Sequence, residues 1–247
     1  RVRHAITKLS DYHFVASEDA KQRVLKMGEE DFRVFNSGCP AMDILKNTDL
    51  SINNKKMSKY GGVGKVVDWE APYILLIQHP VTTSYGSGRA QIEETLKALN
   101  KFKEIQKIVL WPNSDAGSDD VSKGIRVFRE NNPDSNFHYF KNFSPEDFAK
   151  LINNSICNVG NSSSFLRECS FLGAPVVLVG DRQNGRERGK NIVYSSYNLE
   201  NIARKVEFQI NHGKYEPENI FGDGTAGQRV AEQLAKVDLN TVKRNSY

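Results

Sequence analysis

Short, unbroken apolar runs that alternate with helix-period stretches leave this chain few folds to choose from. Residues 73–78, 107–111, 137–140, 156–159, 176–179 and 191–194 read as strands, and residues 91–102, 121–130, 145–153, 163–171, 199–211 and 226–236 as helices. The strands do not alternate apolar with polar residues, so both of their faces must be buried. Strands of that kind, each followed by a helix, build βαβ units and a parallel sheet covered on both sides. The expected class is therefore α/β, with a parallel sheet. One helix start is explicit: Ser144 as cap, with Glu146 and Asp147 in the first turn, where the helix dipole favours acids.

Upstream the alternation is shorter, with a strand at 12–17, a helix at 18–27 and a strand at 33–36 closed by Gly38 and Pro40. Residues 47–69 show little periodicity and read as an irregular or mobile connection. Gly64-Lys65 is not a phosphate loop, because Val66 stands where a hydroxyl residue is needed and no strand precedes it. Residues 1–9 read as a helix already in progress, with Val2, Ala5, Ile6 and Leu9 on one face and no start signal. The expectation is that further residues precede Arg1.

Composition narrows the function classes. The 247 residues carry 34 Lys and Arg against 30 acids, a net +4, too small an excess to indicate a nucleic-acid protein. No run approaches the length of a membrane-spanning helix, so no membrane partner is expected. Cys39, Cys157 and Cys169 are widely spaced and form no CxxC pair. They read as buried thiols of a reducing compartment, which points to the cytoplasm. No His, Cys and carboxylate cluster has metal-ligand spacing, so no metal is expected.

In a parallel sheet of this kind ligands bind beyond the carboxyl ends of the strands, so the loops there are where chemistry belongs. Residues 160–164, Gly-Asn-Ser-Ser-Ser, leave a strand and enter a helix. Small residues there let a ligand approach the backbone, and the first-turn N–H groups suit a phosphate or pyrophosphate, with Ser162 and Ser163 adding hydroxyls. Plain helix capping by Asn161 or Ser162 accounts for the same pattern. Glu168 suits either ribose hydroxyls or a surface ion pair. His79, between an apolar strand and Pro80, is the one histidine on the expected rim. It suits an acid, a base or a phosphate partner, or a loop-stabilising role. Residues 181–188 hold three arginines, suited to a diphosphate or to solvent.

Taken in order, the motifs are more specific than any one of them. They are His-Ala-Ile-Thr-Lys-Leu at 4–9, Gly-Cys-Pro at 38–40, His-Pro-Val-Thr-Thr at 79–83 and Pro-Asn-Ser-Asp-Ala-Gly-Ser at 112–118. Gly-Asn-Ser-Ser at 160–163 follows with Arg167-Glu168, then Gly-Ala-Pro-Val at 173–176, Gly-Asp-Arg-Gln-Asn-Gly-Arg-Glu at 180–187 and Phe-Gly-Asp-Gly at 221–224. The run resembles the hydrolysing UDP-N-acetylglucosamine 2-epimerases of sialic-acid biosynthesis, in bacteria and in the epimerase half of the animal epimerase/kinase. Non-hydrolysing relatives carry Asp-Ser-Gly-Gly-x-x-Glu-Glu near residue 160 and Thr-Glu-Arg-Pro-Glu near residue 181, which this chain lacks.

The resemblance implies two Rossmann-like domains facing across a cleft, the glycosyltransferase-B arrangement. Residues 1–46 would be the tail of the N-terminal domain, and 47–247 the UDP-binding C-terminal domain, with the last helix packing back on the first. Catalytic carboxylates of the N-terminal domain would lie before Arg1. By motif, His79 corresponds to an active-site histidine beside the diphosphate and Asn113 to a UDP contact. Phe143 corresponds to a uracil contact made through its backbone, Ser162 and Ser163 to the pyrophosphate turn, Glu168 to the ribose carboxylate and Arg182 to a nucleotide-side arginine. Arg126, Arg129 and Lys141 resemble the basic group that receives CMP-sialic acid in the animal enzyme. Asp119 stands for a Lys there and Asn142 for a His, which argues against feedback binding.

The implied reaction uses neither metal nor NAD. A proton leaves C2 of the sugar, UDP leaves C1, and water adds to the resulting glycal to give free N-acetylmannosamine. UDP-sugar and UDP are the expected ligands, and a homo-oligomer the expected assembly. Three alternatives stand beside this: the same chemistry on a diacetamido-trideoxy UDP-sugar, a nucleotide-sugar-binding fragment without activity, and a glycosyltransferase of the same fold.

Overall fold

Elements form where the apolar runs end against glycine, proline or a capping side chain, and the expected order of strand and helix holds from residue 73 onward, whereas two helices before it, at 40–47 and 54–57, are not expected from the sequence. The computed structural model describes residues 2–81, 84, 86–238 and 243. In chain order it contains α1 (Val2–Leu9), β1 (His13–Val15), α2 (Glu18–Lys26), a 3-10 turn (Asp31–Arg33), β2 (Val34–Asn36), α3 (Pro40–Asn47), α4 (Asn54–Met57), β3 (Tyr73–Ile77), α5 (Gly88–Leu99), β4 (Gln106–Leu110) and α6 (Ser118–Asn131). Then follow β5 (Phe137–Phe140), α7 (Pro145–Asn154), β6 (Cys157–Gly160), α8 (Ser164–Leu172), β7 (Val176–Val179), β8 (Ile192–Ser195), α9 (Leu199–His212) and α10 (Ala226–Leu234). Two compact units result: Arg1–Thr48 with Asn219–Tyr247, and Asp49–Glu218.

The larger unit is built on a six-stranded sheet of order β5-β4-β3-β6-β7-β8, parallel at every pairing. Numbered within the unit this is 3-2-1-4-5-6, the order of dinucleotide-binding sheets, and it reverses between β3 and β6. Every residue of β3 and β4 is buried, as the unbroken apolar runs require. Side chains alternate between two cores. Ile74 and Leu76 pack with Ile92, Leu96, Ile125 and Val206 from α5, α6 and α9. Tyr73, Leu75 and Ile77 pack on the opposite side with Leu151, Ile152 and Phe165 from α7 and α8.

Differences from the sequence reading are local. Helix α6 starts at Ser118 rather than 121, taking Asp119 and Asp120 into its first turn, where the dipole favours them. Helix α5 likewise starts at Gly88 rather than 91. Residues 47–69 are irregular, as expected, apart from the short helix α4 and one isolated bridge, yet they pack on the sheet. Asn53 caps α4 by accepting from Lys56 N–H (2.8 Å), Val63 bridges Tyr139 of β5, and Met57, Val67 and Trp69 enter the second core. Scattered apolar residues without period hid that packing.

In the smaller unit β1 and β2 pair in parallel. The Asp43 carboxylate of α3 accepts from Ala226 N–H (2.9 Å) and Gly227 N–H (2.7 Å), capping α10. Cys39 N–H donates to Phe221 O (2.7 Å), which brings the Gly-Cys-Pro and Phe-Gly-Asp-Gly stretches together. The three cysteines are buried. Among the described residues no helix is long and apolar enough to cross a membrane.

Candidate functional site

The strand order reverses between β3 and β6, so their carboxyl ends diverge into a crevice, and the crevice is lined by the two loops that follow them. The loops are locked together at their base. Gly160, at φ +130°, lies so close to β3 that a Cβ there would sit 2.0 Å from Ile77 O. Asn161, fully buried, then accepts His79 N–H on Oδ1 (2.7 Å) and donates from Nδ2 to the His79 carbonyl (2.8 Å). The Asn161 carbonyl takes two donors from the loop after β7, Arg182 Nη1 (3.2 Å) and Gln183 Nε2 (2.8 Å).

His79 is buried, and its Nδ1 accepts the backbone N–H of Asn113 from the loop after β4 (3.3 Å). A backbone N–H can only donate, so in the neutral ring the proton sits on Nε2. Burial, with the nearby Arg182 charge, lowers the His79 pKa to about 4, against an opposing pull from Asp115. The imidazole is therefore neutral near pH 7, a hydrogen-bond donor through Nε2. Arg182 is held between the Asp115 carboxylate (3.3 Å) and the Asn161 carbonyl (3.2 Å).

Beside this crevice lies a cleft of about 400 Å³, walled by His79, Trp111, Asn113, Lys141, Asn142, Phe143, Phe148, Ser162 and Ser164 among others. Four of the expected ligand residues, His79, Asn113, Phe143 and Ser162, thus share one wall system, together with Lys141. The Phe143 ring is buried against Tyr60 (4.4 Å) and Phe140 (5.1 Å), which leaves its backbone to face a ligand. Tyr60 Oη accepts Ser144 N–H (3.0 Å) and donates to Asp147 Oδ2 (2.7 Å). Burial opposes ionisation of Asp147, but Lys150, Lys59 and Tyr60 hold its carboxyl below the usual range. A larger pocket, about 560 Å³, lies between residues 54–69 and β5 and contains none of the expected ligand residues.

At α8 the residue preceding the helix is Ser163, and it makes no side-chain cap bond. The Asn161 amide is spent on His79, and Ser162 Oγ pairs with Ser164 Oγ (2.7 Å). Capping by Asn161 is not made, whereas Ser162 Oγ accepts Ser164 N–H (3.4 Å) at the first residue of α8, so the capping alternative holds for Ser162. Glu168 lies one turn further along α8, with Arg167 3.6 Å away. Burial pushes its carboxyl up, Arg167 partly offsetting this, and Oε2 is buried with no hydrogen-bond partner among the described residues. Of the basic group, Lys141 lines the cleft, whereas Arg126 and Arg129 do not. Thr82 and Thr83 of the His79 motif lie outside the described residues. Sequence reasoning missed Asp115, the Asn161 side chain and Gln183 as parts of the site. Their partners lie 67, 82 and 22 residues away. Among the described residues, no group of three or more His, Cys, Asp or Glu could hold a metal ion.

Known proteins resemble this chain in sequence and in fold. The family model described as UDP-N-acetylglucosamine 2-epimerase matches residues 1–235. A Legionella pneumophila protein named UDP-N,N'-diacetylbacillosamine 2-epimerase (hydrolyzing) is 33% identical over all of this chain and 64% of its own length. A Neisseria meningitidis UDP-N-acetylglucosamine 2-epimerase is 30% identical over 94% of this chain and 60% of its own. The chain thus spans under two thirds of the length of these relatives. Among solved structures, the Neisseria meningitidis UDP-GlcNAc 2-epimerase bound to UDP-GlcNAc superposes with a TM-score of 0.72 at 20% identity, over 94% of this chain and 63% of that one.

Proposed function

This chain belongs to the UDP-N-acetylglucosamine 2-epimerase family, and from that premise we propose that its larger unit is the nucleotide-binding part of a hydrolysing 2-epimerase acting on a UDP-linked N-acetylamino sugar. The observation that carries the reading is the convergence of His79, Asn113, Arg182 and the start of α8 at the point where the strand order reverses. In the proposed reaction a base takes the C2 proton, the C1–O bond breaks and the electron pair leaves with the diphosphate. Water then adds to the glycal, giving free sugar and UDP. Charge grows on the departing diphosphate, so donors fixed around it act mainly in the transition state. Arg182 and the N–H groups opening α8 supply fixed positive potential. His79 donates from Nε2, and the phosphate charge raises its basicity as the bond breaks. Glu168, whose Oε2 faces Arg167 at 3.6 Å without a hydrogen bond, is the proposed acceptor for ribose hydroxyls.

For the sugar, UDP-N-acetylglucosamine yielding N-acetylmannosamine is the first reading, which would place the reaction in sialic-acid or related nonulosonic-acid biosynthesis. A diacetamido-trideoxy UDP-sugar is the second, favoured by the printed name of the Legionella relative. The reading also includes a homo-oligomer and a reducing cytoplasmic setting, the latter supported by the burial and wide spacing of the cysteines. Supplying each UDP-sugar and analysing products tests it. Free 2-epimer with stoichiometric UDP is expected. A 2-epimer still joined to UDP would refute hydrolysis, and sugar transfer to an acceptor would indicate a transferase.

A further inference from the structure

We propose that Asn161 is a positioning residue for His79, its side-chain amide fixing the histidine backbone so that the ring engages the loop after β4. The inference rests on the reading of His79 as the diphosphate partner. Four observations carry it.

Asn161 is fully buried, and its amide holds His79 in both directions, accepting from His79 N–H and donating to the His79 carbonyl, with the Tyr197 hydroxyl also beside it. Only a primary amide can do both at this reach. Aspartate keeps the acceptor but turns an oxygen on the carbonyl, and alanine leaves both backbone groups buried and unpaired. Asn161 itself is held from behind, because its carbonyl accepts from Arg182 and from buried Gln183. Its own N–H donates to Ile77 O (3.0 Å) at the end of β3, so both sides of the crevice are tied through this residue. Finally, the ring contact that depends on this placement is near its limit. The Asn113 N–H to His79 Nδ1 distance is 3.3 Å, beyond the usual range for such bonds, so a small backbone shift breaks it. Loss of that bond frees the ring to carry its proton on either nitrogen.

The chain of cause therefore runs from the loop after β7, through Asn161, to the tautomer of a histidine on the loop after β3. Arg182 has two roles in it, facing the ligand and holding the residue that orients His79.

The test compares the protein with Asn161→Asp and reads three quantities: the ring-nitrogen shifts of His79 by NMR without ligand, UDP affinity, and kcat and KM for the UDP-sugar that is turned over. The wild type is expected to show a single tautomer protonated on Nε2. The variant is expected to show a mixture of tautomers and a kcat lower by about 10²-fold, the scale of a misplaced catalytic group, with UDP affinity within about threefold. An unchanged His79 spectrum, or an unchanged kcat per folded molecule, overturns the proposal. If Asn161→Asp does not fold, Gln183→Leu decides, because it removes only one donor to the Asn161 carbonyl. The same mixed-tautomer spectrum supports the proposal, and an unchanged spectrum overturns it. The spectrum needs no substrate, so an absence of turnover counts against the proposed reaction and leaves the positioning to be judged on the ring alone.

Discussion

Replacing Gly160 with alanine is a one-carbon perturbation whose cost follows from the geometry. The new Cβ would fall 2.0 Å from Ile77 O and 2.6 Å from Ile77 C, where ordinary contact begins at 3.4 Å. Both obstacles are backbone atoms at the end of β3, a strand buried along its whole length between β4 and β6, so neither side can yield cheaply. The φ of +130° adds strain that an L side chain rarely accepts, about 1–3 kcal/mol. Forced overpacking adds about 1–3 kcal/mol. Together the expected destabilisation is about 2–6 kcal/mol, read as a lower urea midpoint at unchanged slope. UDP affinity should fall as well, because the shift separates the loops that Asn161 joins. If Gly160→Ala unfolds within about 0.5 kcal/mol of the wild type, the range of an inconsequential surface change, the close approach of β3 and β6 is wrong.

Other consequences are equally direct. The His79 pKa falls from 6.5 to about 4 on folding, so its contribution is present above pH 6.5 and is lost as the pH drops toward 4. Urea titrations at pH 7 and pH 4 should differ by up to about 3 kcal/mol from this group, and His79→Gln should remove that part of the difference. Glu168→Ala should weaken UDP binding by about 1.5–3 kcal/mol with little loss of stability, measured by calorimetry. Lys107 is fully buried and donates to Phe102 O (2.7 Å) and Ile105 O (2.8 Å). Lys107→Met should cost about 1–3 kcal/mol per carbonyl left without a partner, seen as a lower thermal midpoint without any change in UDP affinity.

How far the sequence could be read differs between scaffold and site. Strands such as β3 and β7 were legible because every residue in them is apolar, and burial on both faces leaves no other place for them. Helix α7 was legible because Ser144, Pro145, Glu146 and Asp147 all act within one turn. Helix α3 was not, since only Pro40 marks its start and the acid of its first turn, Asp43, spends its carboxylate on the start of another helix. In the site, the rim loops with His79, Ser162 and Ser163 follow from strand ends, whereas Asn113, Phe143 and Arg182 are named only through the family resemblance. What holds them could not be named in either way. Asn161 sits inside a motif that suits phosphate binding or helix capping, and its actual partner is 82 residues earlier. Nothing local distinguishes an amide that caps a helix from one that clamps another loop. Only the strand order puts residues 79 and 161 side by side.

The Tyr60 hydroxyl has a practical consequence for dissecting the molecule. It joins Ser144 and Asp147 at the start of α7 while its ring backs Phe143, so the inner wall of the ligand cleft is partly built by a residue that precedes β3. A domain boundary drawn at the first sheet strand would keep every expected contact residue and still discard their buttress. The smallest autonomous fragment that retains a formed cleft should therefore begin at Asp49. A protease cut between Tyr60 and β3 should register first as weakened nucleotide binding, before any loss of the sheet.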